Sequence, residues 1–199
     1  RREPEEIMDR REKKIKVPLA RETALSLVAG EKVLIDGIIF TGRDAAHRKM
    51  IDCMEEGKPL PFDIKGQVIY YVGPSPAPPG KVAGSAGPTT SGRMDPFTPA
   101  LLDLGLRGMI GKGYRSAEVI EAMVRNGAVY FAAVGGAAAL VSRSIMNVET
   151  VAWPELGPEA VYRMEVRDFP VIVVIDAFGN DIYRTGPPLY RLDGDGGES

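Results

Sequence analysis

Along this chain, short runs of consecutive apolar residues alternate with stretches in which apolar positions recur every three or four residues. Residues 32–40 (KVLIDGIIF) are rich in β-branched side chains and predict a strand, interrupted at Gly37 and ended by Thr41 and Gly42. Residues 43–56 take helical spacing: Ala46, Met50, Cys53 and Met54 share one face, and Gly57 closes the helix. Residues 67–72 (QVIYYV) predict a second strand. Thr98-Pro99 reads as an N-cap followed by proline at the first helical position, in a helix that Gly105 ends. Residues 108–112 (GMIGK) predict a short buried strand with a glycine turn. Residues 116–126 form an amphipathic pattern with Val119, Ile120, Met123 and Val124 inward and Gly127 at its stop. Residues 128–134 predict an apolar strand that runs through Gly135-Gly136 into a helix of small residues ending at Ser144. Residues 149–153 and 171–176 predict further strands joined by a short helix over 158–165. Phe178-Gly179-Asn180 then turns the chain into a last strand at Ile182-Tyr183.

Strands alternating with helices predict an α/β domain whose sheet is partly buried on both faces. The stretch that fits neither pattern is 73–92, dense in Gly, Pro, Ser and Thr. A loop that long in a compact domain carries function or is disordered. The predicted organisation is a charged N-terminal tail or helix over 1–14, one domain over 15–185, and a flexible tail over 186–199 with Gly194, Gly196 and Gly197 among acids. No internal repeat is visible.

Composition sharpens this picture by exclusion. With 44% hydrophobic and 26% charged residues in a 199-residue chain, a single folded domain with a real core is expected. The net charge of −2 gives no reason to expect nucleic acid as a partner. No run approaches ~18 consecutive apolar residues, and the charged start lacks the apolar centre of a signal peptide, so a cytoplasmic location with no membrane partner is expected. One cysteine (Cys53) and one histidine (His47) exclude an intrachain disulfide and any cysteine-based metal or iron–sulfur site built from this chain alone.

Three segments carry candidate chemistry, and each ends on or contains a cation. In Thr41-Gly42-Arg43-Asp44-Ala45-Ala46-His47, Arg43 follows a strand end at a helix start, where unpaired N–H groups favour an anion. Asp44 either caps that helix or holds Arg43 by ion pairing. A surface arginine and a partly buried helical histidine explain the same residues without a site. In Gly84-Ser85-Ala86-Gly87-Pro88-Thr89-Thr90-Ser91-Gly92-Arg93, hydroxyls between glycines and then an arginine make a carboxylate cradle. The Gly-Lys-Ser/Thr ending of a P-loop is missing, and a flexible linker is the alternative. In Gly111-Lys112-Gly113, a lysine between glycines follows a short strand, as in a site or an ordinary surface turn. Gly135-Gly136 is a fourth possible anion position, which close helix–sheet packing explains as well. Cations and hydroxyls gathered at strand ends suit a small dicarboxylate. No catalytic triad or carboxylate cluster for a divalent metal is visible.

The strings TGRDAAH (41–47), KGQVIYYVGPSPAPPG (65–80), GSAGPTTSGRMD (84–95), GMIGKG (108–113) and YFAAVGGAAAL (130–140) closely resemble the β component of class I fumarate hydratases, a family that includes the β subunit of L(+)-tartrate dehydratase. The resemblance covers about residues 15–183. It implies a swivelling β/β/α domain, either fused C-terminally to an α domain or encoded as a separate chain. For a separate chain it implies an α subunit as partner in a heterotetramer of two α and two β chains, with a [4Fe–4S] cluster held by that α subunit and not by this chain. It further implies that Arg43, Arg93 and Lys112 contact substrate carboxylates and that Thr89 is the base taking the β-proton. Asp44, His47, Thr90 and Ser91 stand as supporting residues. The expected activity is reversible hydration of fumarate to (S)-malate by the paired subunits. Two alternatives stand beside it: the tartrate dehydratase β subunit, and a non-catalytic dicarboxylate-binding or assembly module.

Overall fold

A computed structural model describes residues 12–84, 87–134 and 138–185. The sequence-predicted tail 186–199, nearly all of 1–14, and the Gly135-Gly136 position lie outside the described residues. Within them the order is β1 (Lys13–Val17), α1 (Arg21–Ser26), β2 (Lys32–Thr41), α2 (Asp44–Glu55), β3 (Val68–Tyr70), α3 (Thr98–Asp103), β4 (Gly108–Gly111), α4 (Ala117–Asn126), β5 (Val129–Ala133), α5 (Ala138–Ser144), β6 (Ile145–Ala152), β7 (Val161–Ile175) and α6 (Ile182–Thr185). Short 3-10 helices cover Ser91–Met94 and Pro154–Glu159. The fold is mixed α/β, as the alternating pattern predicts. No helix among the described residues is long and apolar enough to cross a membrane.

The strands join in the order β1-β2-β3-β4-β5-β7-β6, and β2 also pairs with β7. The pairings therefore pass from β2 through β3, β4, β5 and β7 and return to β2, closing the central strands into a ring. β2, β3, β4 and β5 run parallel, while β7 runs antiparallel to β2 and β5. Successive side chains enter two different cores, as the two-residue period of a strand requires. Val68, Tyr70, Val129, Phe131, Val171 and Val173 belong to one. Ile69, Tyr71, Tyr130 and Val174 belong to the other, with Leu101 and Leu102 of α3 and Val119 and Met123 of α4. Burial on both faces is why these strands read as unbroken apolar runs rather than alternating ones.

Several local readings are corrected. The short helix expected over 158–165 ends early: the 3-10 helix Pro154–Glu159 joins β6 to β7, and β7 is one 15-residue strand from Val161 to Ile175. It passes Pro170 by bending at Asp168, whose φ is +52° and whose N–H is taken by the Asp36 carboxylate at 2.7 Å. Ile182-Tyr183 is the start of α6 rather than a strand. Asp181 makes only an isolated bridge to Ile175, and its carboxylate then caps the Tyr183 N–H at 2.9 Å. β1 and α1 have too few apolar positions to be read from pattern; β1 buries only Ile15 and Val17 between lysines. Gly37 does not break β2. A Cβ there would lie 2.5 Å from the Val17 carbonyl oxygen, so glycine lets β1 lie close while the β2–β7 register shifts between Ile35 and Gly37. Cys53 is half-buried on α2, whose fully buried positions are Ala46, His47 and Met50.

Candidate active site

The predicted site residues sit on the C-terminal side of β2, β3 and β4. Arg43 follows β2, and Lys112 follows β4 directly. Between them the chain beyond β3 provides a shelf at Tyr71, Val72 and Gly73. The long loop returns to that shelf: the Thr89 N–H donates to the Tyr71 carbonyl at 2.7 Å. Thr90 then bridges in parallel to Lys112, and the Ser91 N–H donates to the Lys112 carbonyl at 2.8 Å. The end of the irregular segment thus lies against both strand ends as a single added bridge. Thr89 and Lys112 become neighbours although they are far apart in sequence.

Arg93 belongs to the 3-10 helix Ser91–Met94 and reaches back to the start of α2. Its Nε and Nη2 donate to the two Asp44 carboxylate oxygens at 3.1 and 2.7 Å. Asp44 therefore engages Arg93, and no cap or pairing to Arg43 is among its bonds. The pair is half-exposed, with side-chain exposures of 52% and 35%. An exposed pair contributes ~0–1 kcal/mol, so its effect is on orientation more than on stability. Held side-on through Nε and Nη2, the guanidinium keeps the Nη1 protons for another acceptor.

Arg43 is anchored through its backbone. Its carbonyl accepts from the His47 N–H at 2.9 Å and lies 2.8 Å from His47 Nδ1. Its side chain crosses Gly73, where an added Cβ would lie 3.1 Å from both Cδ and Nη1. Among the described residues its nearest counter-ion is Glu159, 3.8 Å from Nε, which is beyond hydrogen-bond reach and leaves the buried Nε without a partner there. His47 is fully buried, and burial lowers its pKa to about 4. The ring is neutral at pH 7 and, facing a carbonyl through Nδ1, carries its proton there. Nε2 is buried without a partner among the described residues, and the ring stands edge to face with that of Tyr71, 5.4 Å between centroids.

Beneath this layer lies a polar core that pattern reading missed. Ser91 is fully buried, 2.8 Å from the Tyr130 hydroxyl, which donates to the Gly113 carbonyl at 2.8 Å. Arg115 is also buried, at 1% exposure. Its Nε donates to Asp95 at 2.7 Å, and its Nη2 to Thr98 Oγ1 at 3.0 Å and to the Tyr71 hydroxyl at 3.2 Å. Its guanidinium stacks 5.2 Å from the Tyr71 ring centroid and 5.0 Å from that of Tyr130. Tyr130 reads in the sequence as one more member of an apolar run. Arg115 carries no motif, and Glu159 falls in the stretch predicted as a connecting helix.

Candidate cations and hydroxyls thus lie together at the C-terminal ends of adjacent parallel strands of a mixed α/β domain. The Fumarase C-terminus family model matches residues 2–186, and the chain belongs to that family. It is 43% identical over 155 residues to the anaerobic class I fumarate hydratase of Escherichia coli (strain K12), covering 77% of this chain and 28% of that protein. It is 42% identical over 156 residues to fumarate hydratase 2 of Leishmania major, again covering 77% of this chain and 28% of that protein. Over 171 residues it is 39% identical to a Methanocaldococcus jannaschii chain bearing the provisional name L(+)-tartrate dehydratase subunit beta, covering 83% and 88% of the two chains. The chain thus spans between about a quarter and a third of the fumarate hydratases it matches, and most of the beta-subunit chain.

Proposed function

We propose that this chain is the β subunit of a two-subunit iron–sulfur hydro-lyase that reversibly hydrates fumarate to (S)-malate, active only with an α subunit in an assembly of two α and two β chains. The observation that carries the reading is the double tether of the Thr89–Ser91 segment to Tyr71 and Lys112. It brings three separate motifs to one end of the sheet. In this reading Arg43, Arg93 and Lys112 bind the substrate carboxylates. Their charge stabilises the aci-carboxylate that develops as the neighbouring C–H is deprotonated. Thr89 Oγ1 receives that proton. A threonine hydroxyl is a weak base, so it depends on an adjacent cation to favour its deprotonated form. Asp44 aims Arg93, His47 fixes the backbone of Arg43, and Thr90 and Ser91 seat the loop.

The [4Fe–4S] cluster is assigned to the α subunit. One cysteine cannot supply its thiolates, and among the described residues no group of three His, Cys, Asp or Glu could hold a metal. The chemistry such a cluster supplies is Lewis acidity toward the departing hydroxide.

The test is reconstitution with the α-type chain. The expected result is no hydration of fumarate by this chain alone and full activity with its partner. Arg93→Ala and Lys112→Ala are each expected to lower kcat/KM by roughly one to two decades while remaining folded, as loss of a charge-assisted bond worth ~2–3 kcal/mol requires. Hydration by the chain alone, or unchanged turnover in both variants, overturns the reading. The name of the beta-subunit relative, which this chain matches over 88% of its length, makes L(+)-tartrate a second candidate substrate. Comparing malate and tartrate turnover by the same assembly decides between them.

A further inference from the structure

We infer that Tyr130, a core residue of β5, is a positioning residue that sets Lys112 against Thr89 and Arg93 by holding Ser91 and Gly113 on one phenol oxygen; this rests on the proposed hydro-lyase site. Tyr130 has one proton, and its hydroxyl donates it to the Gly113 carbonyl at 2.8 Å. The Ser91 hydroxyl, 2.8 Å away, must then donate to the phenol oxygen. The hydroxyl thus closes a short chain, Ser91 Oγ–H to Tyr130 Oη–H to Gly113 carbonyl, across the two segments that carry the candidate groups. Ser91 lies two residues from both Thr89 and Arg93, and Gly113 is next to Lys112. The backbone bond from Ser91 to Lys112 crosses the same gap.

Two features make this clip rigid. Ser91, Gly111 and Tyr130 are buried, and a Cβ on Gly111 would overlap the Ser91 hydroxyl, so Ser91 packs directly on the end of β4. The Tyr130 ring is itself held by the Arg115 guanidinium on its face, which Asp95 fixes. Burial raises the Tyr130 pKa, which keeps the phenol protonated and donating throughout the working pH range. Arg43 and Arg93 have separate anchors in His47 and Asp44. Loosening the clip therefore disturbs alignment at Lys112 and Thr89 more than it disturbs the two arginines.

The experiment uses the assembly of this chain with its α partner. Tyr130→Phe removes one oxygen and keeps the ring under Arg115. Its expected effect is a fall of about tenfold in kcat with KM changed less than about threefold, the signature of misalignment rather than lost binding. Ser91→Ala cuts the same chain from the other side. The double variant is expected to be no worse than the poorer single variant. Wild-type kcat per folded molecule in both variants overturns the inference, as do losses that multiply. A readout independent of activity is hydrogen exchange at the Ser91 amide. Tyr130→Phe is expected to speed it about tenfold while the Phe131 amide is unchanged; unchanged exchange at Ser91 overturns the clip. If the wild-type assembly turns over neither malate nor tartrate, the proposed function fails, and the exchange measurement still judges the clip.

Discussion

At His47 the chemistry turns on which nitrogen carries the proton and on where the lone pair is left. The ring is buried, its Nδ1 faces the Arg43 carbonyl, and burial lowers its pKa to about 4. The unfolded chain takes up this proton near pH 6.5, whereas the folded chain resists it until about pH 4. The stability this residue contributes is therefore complete above pH 6.5 and declines as pH falls to 4, by about 3 kcal/mol in all. His47→Asn retains a donor for the carbonyl but does not titrate. Urea unfolding between pH 7 and 4 is expected to show a decline smaller by about 3 kcal/mol in the variant; equal declines would assign the acid sensitivity to other groups. The residue types of the site were legible in the sequence, but the partners were not. Asp44 beside Arg43 reads as its counter-ion, yet a helix start points successive side chains in different directions, and Asp44 meets Arg93 of another segment.

At the scale of elements, the 3-10 helix Ser91–Met94 and α4 are locked together by one carboxylate. Asp95 accepts from Arg115 Nε at 2.7 Å through Oδ1 and from the Ser116 N–H at 2.7 Å through Oδ2, so the cap region of α4 is tied to the segment bearing Arg93. Removing one partner of a buried ion pair leaves the other uncompensated and costs roughly 3–5 kcal/mol. Arg115→Met is accordingly expected to lower the thermal midpoint by about 10 °C, at roughly 2–4 °C per kcal/mol for a domain of this size. A shift under about 3 °C in thermal melts would show the pair to be dispensable. Long periodic elements such as α2 and α4 were readable because a helix face repeats within its own sequence, although Val124, expected to face inward on α4, is exposed and Ala122 is buried. β1 and the first half of β7 were not, since Ile15 and Val17 among lysines, and Met164 and Val166 among charged residues, make alternations too short to set a strand apart.

For the molecule as a whole, the decisive feature is ring closure by β7, which pairs with β2 along one edge and with β5 and β6 along the other. No strand of the ring can leave without exposing both of the cores that its two faces line, so unfolding is expected as one transition, with near- and far-ultraviolet circular dichroism giving the same midpoint. Phe169→Ala empties a fully buried position whose ring meets Tyr70 edge-on at 5.4 Å, and is expected to lower both midpoints together at a cost of ~3–5 kcal/mol. Separated midpoints would mean that part of the sheet folds independently. Legible in the sequence alone were the α/β class, most of the strands and helices, the family resemblance, and the poverty in cysteine and histidine that excludes a cysteine-based cluster built from this chain alone. These follow from local spacing and composition, which need no knowledge of distant contacts. Three things came into view with the folded chain: the sheet closes, Asp44 holds Arg93, and Tyr130 and Arg115 lie beneath the candidate site. Each of those is a meeting of residues far apart in sequence, and hydrophobic periodicity records which face is buried without recording what it is buried against.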